Sequence, residues 1–551
     1  MSRFSQSAGR WIFLAIIVIA ALVRLATVRF GLPALNDPDE LMFEMGAAHM
    51  LRDATLNPGW FGHPATTTMY VLALIDVGVF AIGWLLGWFA GPAAFVKAIW
   101  FDPALVILPG RVMIVICGVL TVALTARLGE RLFDRHVGLA AAALLALDPV
   151  HVFWSQVVRS DVMASVFLLL CLLSTLTVAR SGRWRDTLLA SMWLGLAVAT
   201  KWPFAAAGMS MAGACLQRVS QRSGCGASEA WRFLAFGVAG VAALVIASPF
   251  LVLDFQTAFG NVRGEVKTYH LGATGGSPLW NLGWYVSHPL LSAFGLAGLI
   301  LVSIGIVRAA WNREMLAILG PPVVGFILLL VSQKLVWDRW ALPLLPLLSI
   351  VAAAGAAWIV DYIGGGRGAS AKLATAAVIA IATGGPLLAA DLAQGRERLN
   401  DTRQQASLWI ETHVRPGKTV LVEHFAFDLV SRPYRFLFPA GDAGCLDVVA
   451  TLEGKIPYST ITKLRHGRST VDIGNVAPTE LASCRADYVV TTQLDRYSAE
   501  KARFPAEYGQ YRTMLAGAQQ VSVFRPEPGV SGGPITRIFK LTRNGVGATS
   551  D

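Results

Sequence analysis

The stretch "NDPDELMFEMGAAHML", residues 36–51, places four carboxylates, Asp37, Asp39, Glu40 and Glu44, directly after the first apolar run of the chain. Helix capping accounts for part of this. Asp37 suits an N-cap, Pro38 the first helical position, and Glu40 the position three residues after the cap. Asp39 is left over. A carboxylate in a first helical turn is favoured by the helix dipole and stays ionised, the state a proton acceptor needs. Leu41, Met42, Met45, Ala48 and Leu51 then recur at helical spacing, so this helix can lie along a membrane surface.

Further groups suited to the same chemistry follow. "WSQVVRSDVMAS" (154–165) carries Arg159 and Asp161, "GLAVATKWPF" carries Lys201, and "SQKLVWDRWALPLLPLL" carries Lys334, Asp338 and Arg339. Each has a plain alternative. Asp161 can cap the helix after it, Lys201 can snorkel, and His63 before Pro64 reads first as turn chemistry. The stretch 254–284, with Arg263, Lys267, Tyr269 and His270 among glycines, reads equally as a mobile lid or acceptor-binding loop and as a solvated connector. Taken together, the acids can activate a hydroxyl, while Lys201 and Arg339 can hold a phosphate whose lipid tail stays in a bilayer.

Positioning these groups falls to apolar helices. Of 551 residues, 55% are hydrophobic and 15% charged, against about 25% charged in soluble chains. Apolar runs of bilayer-crossing length, roughly 17–25 residues, recur from Trp11 to about Ala390 and exclude a soluble protein. The net charge of +11 does not point to nucleic acid, because the arginines sit mostly in short loops between apolar runs. About eleven transmembrane helices are predicted, near 11–30, 109–130, 137–155, 162–180, 187–203, 204–218, 233–253, 286–308, 314–333, 340–362 and 372–392. The first is read as an uncleaved anchor, since no small-x-small cleavage site follows it.

Arg3 and Arg10 put the N-terminus inside. The loops with Arg127, Arg131 and Arg135; Arg180, Arg183 and Arg185; Arg218, Arg222 and Arg232; Arg308 and Arg313; and Arg367 and Lys372 then all face the cytoplasm. The condition is that 67–90 makes no net crossing. Asp76 within it, and Pro92, Lys97, Asp102 and Pro103 after it, favour a re-entrant or surface-lying segment. Residues 1–394 form the membrane domain, with a first outer loop over about 31–108. Residues 395–551 form a small extracytoplasmic α/β domain, with a helix, a turn at Pro416-Gly417 and a strand in "SLWIETHVRPGKTVLVEHF", and strands in "RADYVVTTQ" and "GGPITRIFKL". Cys445 and Cys484 can pair if that domain meets an oxidising compartment. No Cys or His spacing suggests zinc; no metal and no cofactor are assigned.

The motifs and their order resemble the GT-C polyprenyl-phosphate-sugar-dependent glycosyltransferases, protein O-mannosyltransferases and lipid A aminoarabinose transferases in particular. "DPDELMFEMGAAHML" is similar to the first-loop Asp-Glu motif, "GWFGHPATTTMYVLAL" to the Pro-containing juxtamembrane segment and "LPGRVMIVICGVLTVALTARLGERLF" to the Arg-led second span. "VVRSDVMASVFLLLCLLS" resembles the second acidic motif, "GLAVATKWP" the lysine motif and "DRWALPLLPLLSIVAAAG" the Arg–aromatic–Pro-rich motif. The resemblance covers about 10–395. It implies transfer of one sugar, with inversion, from a polyprenyl monophosphate donor to a protein, lipid or polysaccharide acceptor outside the plasma (inner) membrane. Asp39 is then the base, Glu40 its motif neighbour and Asp161 the group orienting base or acceptor. Lys201, Arg339 and Arg159 bind the donor phosphate, and His63 is a candidate phosphate or acceptor contact. "HPATTT" departs from the usual double proline led by lysine or histidine.

Two other classes compete. A transporter or flippase of lipid-linked sugars calls for ionisable residues at mid-span and paired halves with interrupted helices. The acids here cluster at span ends, and no pairing of halves is visible. A non-catalytic assembly factor would carry its partners on the tail.

Overall fold

The computed structural model describes residues 3–221, 225–364, 368–453, 455 and 472–541; Arg222 and Arg367 of the loop arginines lie outside them. Two compact units make up the chain. One contains the residues up to Val28, Asp39–Asp76 and Pro109–Leu392; the other contains Arg29–Pro38, Val77–Leu108 and the chain from Ala393.

α1 (Arg3–Ala26) leads to α2 (Asp39–Arg52), α3 (Thr66–Leu85), α4 (Pro92–Phe101) and α5 (Ala104–Leu132). α6 (Arg135–Ala146) and the short α7 (Pro149–Trp154) precede α8 (Ser160–Ser181), α9 (Trp184–Thr200) and α10 (Met209–Gln221). α11 (Gly226–Ala247), α12 (Phe250–Leu253) and α13 (Phe255–Glu265) follow. α14 (Pro278–Tyr285) then runs through a π-turn into α15 (Leu291–Ala309), ahead of α16 (Arg313–Ser332), α17 (Leu344–Gly364) and α18 (Ala369–Leu399).

Among the described residues, nine helices are long and apolar enough to cross a membrane: α1, α3, α5, α8, α11, the joined α14–α15, α16, α17 and α18. Within hydrocarbon a helix satisfies every backbone polar group internally, and apolar runs without a break take that form. Three of the eleven expected spans are shorter helices. The run 137–155 breaks where the Asp148 carboxylate accepts from the Val150 and His151 amides at 2.9 and 3.0 Å and starts α7 at Pro149. The run 187–203 is the 17-residue α9. The run 204–218 loses its first turn to a 3-10 segment, Trp202–Gly208, that contains Pro203.

The segment 67–90 does not reverse within itself: α3 is one continuous helix. Its flanks nevertheless bear on the expected topology. Arg111, near the start of α5, donates to the Val28 carbonyl just past α1 at 2.8 Å. At the other end, Arg10 and Phe13 of α1 share a cavity with Arg127 and Glu130 of α5. α1 and α5 are therefore antiparallel, and the chain between them leaves and re-enters at one end. An even number of crossings follows. The ten residues of α4 rise only about 15 Å, less than the hydrocarbon thickness of a bilayer.

α8 and α9 form a hairpin through Gly182, whose φ of +67° supplies the left-handed cap and leaves no room for a side chain beside the Arg218 guanidinium. The hairpin returns the chain to the level at which α8 began, which sets Lys201 after α9 beside Asp161 at the start of α8. α15 and α17 approach so closely that a Cβ at Gly305 or Gly355 would lie 2.0 or 2.3 Å from a carbonyl of the facing helix, the small-residue packing common between helices in membranes.

In the second unit, α19 (Thr402–His413) packs near a six-stranded sheet of β1 (Thr419–Val422), β2 (Arg435–Pro439), β3 (Cys445–Asp447), β4 (Tyr488–Thr491), β5 (Gln519–Phe524) and β6 (Thr536–Lys540). The order is β3-β2-β1-β4-β6-β5; β1 is parallel to β2 and β4, and the remaining pairs are antiparallel. The expected helix, Pro416-Gly417 turn and strands in three motifs correspond to α19, β1, β4 and β6. Cys445 and Cys484 are joined in a disulfide. The buried Glu423 carboxylate accepts from the amides of Ile473, Thr492 and Gln493 and from the Tyr511 hydroxyl, tying the end of β1 to that of β4. Arg403 and Gln404 of α19 hold Asn36 by three hydrogen bonds of 2.7–2.9 Å.

Candidate active site

Asp39 opens α2, and its carboxylate accepts from Arg159 Nη2 at 2.5 Å. Burial alone would raise its pKa, but the guanidiniums of Arg159 and Arg339 outweigh that and hold it down at about 2. The side chain remains 40% exposed, whereas that of Arg159 is 5% exposed. Asp39 is thus an ionised carboxylate at the mouth of a buried cationic wall.

Two residues beyond Arg159, Asp161 forms a buried ion pair with Lys201. Lys201 is fixed from its other side. The Trp202 amide donates to the His63 carbonyl at 3.0 Å, and the Ala65 amide donates to the Thr200 carbonyl at 3.1 Å, so His63-Pro64 runs as a short strand beside Lys201. Burial, then the ammonium of Lys201, pushes the His63 imidazole down to about 3; it is neutral at physiological pH. Its ring lies 5.0 Å from that of Trp60.

Arg339 sits in a 3-10 turn, Asp338–Ala341, with its guanidinium 4.4 Å from the Trp337 ring centre and 5.9 Å from that of Trp154. Arg159 lies 5.2 Å from the same Trp154 ring. One indole therefore serves two guanidiniums, a cation–π arrangement that offsets part of their mutual repulsion. The His270 ring stands 5.0 Å from that of Trp337, edge to face, and burial lowers its pKa. The loop bearing His270 is pinned to the 333–337 stretch by the Gly275 amide on the Lys334 carbonyl, at 2.8 Å, and the Val336 amide on the Ala273 carbonyl, at 2.9 Å. Lys267 and Tyr269 on that loop are exposed.

Glu40 takes a different place from its neighbour. It is fully buried, and Arg111 donates to both its oxygens, at 2.8 and 2.6 Å; one of them also accepts from the Val158 amide at 2.9 Å. Through that amide it fixes the turn that carries Arg159. Glu44 points into the interior, 4% exposed, where burial and then Asp76 push its pKa well above the ordinary carboxylate range.

The geometry brings together Asp39, Arg159, Asp161, Lys201, Arg339 and His63, with His270 next to them. It sets Glu40 beneath the site and Lys267 and Tyr269 at its exposed edge. Trp154 and Trp337 were not singled out from the sequence, and Arg111 only as the lead of the second span. The tryptophans have one readable signal, since each lies within five residues of a candidate arginine in a span-end motif.

Residues 103–253 match the family model described as dolichyl-phosphate-mannose-protein mannosyltransferase. No curated protein matches the chain. Among solved structures, ArnT from Cupriavidus metallidurans in the apo state is similar over 99% of this chain and 100% of its own, at 13% identity and a TM-score of 0.54. The same protein bound to undecaprenyl phosphate gives 14% identity over the whole of both chains and a TM-score of 0.51. The oligosaccharyltransferase of Archaeoglobus fulgidus in the apo form is matched over 100% of this chain and 76% of its own, at 13% identity and a TM-score of 0.50. What is shared at such identities is the architecture: the chain is a multi-pass membrane protein with the GT-C glycosyltransferase fold.

Proposed function

We propose that the protein transfers a sugar from a polyprenyl monophosphate carrier to an acceptor hydroxyl on the outer side of the plasma membrane, with inversion at the anomeric carbon. The observation that carries this reading is a charge count. Three buried cations, Arg159, Lys201 and Arg339, surround two ionised carboxylates, Asp39 and Asp161, and His63 beside them is neutral. A phosphate monoanion or dianion completes that set, and the ArnT structure with undecaprenyl phosphate is a neighbour in fold whose ligand has this chemistry.

Asp39 accepts the proton of the acceptor hydroxyl as its oxygen bonds to the anomeric carbon. The bond from that carbon to the phosphate oxygen breaks, and the electron pair leaves on the polyprenyl phosphate. A phosphate is a good leaving group, so positioning and charge compensation supply most of the rate. Donor binding also tunes the base. A phosphate that engages Arg159 and Arg339 weakens the two cations that depress Asp39, and its proton affinity rises as the site fills. Asp161 orients Lys201. His63 and His270 border the acceptor side, with Lys267 and Tyr269 on the loop beyond.

The positive-inside pattern of the loop arginines and the Cys445–Cys484 disulfide both favour the tail domain, residues 395–551, facing out of the cytoplasm. Asp39→Asn tests the mechanism. The variant retains polyprenyl phosphate, and transfer falls by about 10²–10⁴-fold, so lipid-linked sugar accumulates while glycosylated envelope material disappears. Transfer at the wild-type rate removes Asp39 from the chemistry.

A further inference from the structure

At the end of the bundle remote from Asp39, α1, α5 and α6 enclose a cavity of about 420 Å³. Arg10, Arg127 and Arg135 reach its wall against a single carboxylate, Glu130, and Phe13 and Ala123 contribute to an apolar floor. Among the described lining residues three guanidiniums stand against that one carboxylate, which Arg127 engages at 2.8 Å. Arg135 lies over Gly9 of α1, where a Cβ would meet its guanidinium carbon at 2.4 Å. From Arg10, α1 rises about 24 Å to Ala26, most of the roughly 30 Å of bilayer hydrocarbon. Trp11, 71% exposed beside Arg10, is the side chain expected at the headgroup boundary. The cavity therefore opens at the depth of lipid phosphates on the membrane face opposite the candidate site. Leu14, which also lines the cavity, is half exposed.

We propose that this cavity binds the headgroup of an anionic phospholipid, whose phosphate lies among the three arginines and whose acyl chains run along α1. Basic pockets between transmembrane helices recognise such headgroups. The apolar floor, continuous with the lipid-facing surface of α1, selects a lipid over a soluble anion.

The test uses the full-length protein in a neutral detergent, with native mass spectrometry counting retained phosphatidylglycerol against phosphatidylcholine of the same acyl chains. The wild type retains phosphatidylglycerol at least tenfold better. The R127Q/R135Q variant loses that preference, while R308Q/R313Q, which removes two exposed arginines elsewhere on the same face, keeps it. Ala123→Phe fills the floor with every charge in place and also abolishes retention; it decides the matter if R127Q/R135Q does not purify as a folded protein. Equal retention of the two lipids by the wild type, unchanged preference in Ala123→Phe, or displacement of phosphatidylglycerol by inorganic phosphate alone would overturn the assignment.

Discussion

Arg159 reaches the Asp39 carboxylate at 2.5 Å across 120 residues of sequence. The same arginine shares the Trp154 ring with Arg339, so a single indole places two cations beside the one partly exposed acid of the site. Base and phosphate holders are thereby coupled: what binds the guanidiniums changes the acid.

That coupling has a pH signature. Asp39 is depressed to about 2, so its charged form is favoured throughout the ordinary range and is lost only as the pH falls toward 2. In the wild type the acid limb of kcat/KM therefore does not report Asp39. Arg159→Gln removes one of the two opposing cations while burial continues to push upward, so the Asp39 pKa should rise by about one unit or more and bring an acid limb of its own into the measured range. A profile from about pH 3 to 8 that superimposes on the wild type would remove Arg159 as the group that sets Asp39.

Glu40 makes a separate prediction, because its partner lies in α5 rather than in the site. Removing one member of a fully buried pair leaves an uncompensated charge, at a cost of about 3–5 kcal/mol. Glu40→Gln and Arg111→Met should each lower the thermal unfolding midpoint, and the double variant should recover part of the loss. Since Glu40 also holds the Val158 amide, the double variant should still show a raised KM for the donor through a displaced Arg159. An unchanged KM would leave Glu40 with a purely structural part.

How far the sequence disclosed this site depends on the range of each interaction. The acid in the first turn of α2, the Arg159–Asp161 doublet and Lys201 were legible because each belongs to a local motif at a helix end. The difference between Asp39 and Glu40 was not legible. Adjacent helical positions point about 100° apart, and only Arg111, seventy-one residues away, settles which one turns inward. The spans that came out short have the same explanation: Asp148 and Pro203 interrupt apolar runs by capping and by ring geometry, which hydropathy does not register. In the tail, β1, β4 and β6 carry strong apolar strand motifs, whereas β2, β3 and β5 are set by their neighbours in the sheet. That Arg29–Pro38 and Val77–Leu108 group with the tail rests on contacts such as Asn36 with Gln404, which no local pattern announces.

Asp161 and Lys201 separate folding from chemistry. Their side chains are 3% and 6% exposed, and either single neutral variant strands the other charge in the interior. Asp161→Asn and Lys201→Met should each reduce the yield of monodisperse protein, and the double variant should restore it. Transfer should remain at least about 10²-fold down in all three, because the double variant lacks a cation used for the phosphate. A double variant that transfers normally would show the pair to be a folding device alone.

The disulfide offers a measurement independent of the site. Cys445 and Cys484 close a loop with a sequence separation of 39, for which the chain-entropy account gives about 4 kcal/mol of stabilisation. The bond joins β3 to the 3-10 segment Pro478–Cys484, where the Ser483 hydroxyl also accepts from the Cys445 amide at 2.8 Å. Cys445→Ser should thus loosen the β3 edge of the sheet, and limited proteolysis should cut between residues 445 and 484 at a lower protease concentration than in the wild type. The other described cysteines, Cys117, Cys171, Cys215 and Cys225, carry thiols, so thiol counting on denatured protein should rise from four to five in Cys445→Ser, the partner Cys484 being released. In intact cells the released thiol should react with a membrane-impermeant maleimide if the tail faces outward; labelling only after lysis would place it in the cytoplasm and reverse the proposed topology.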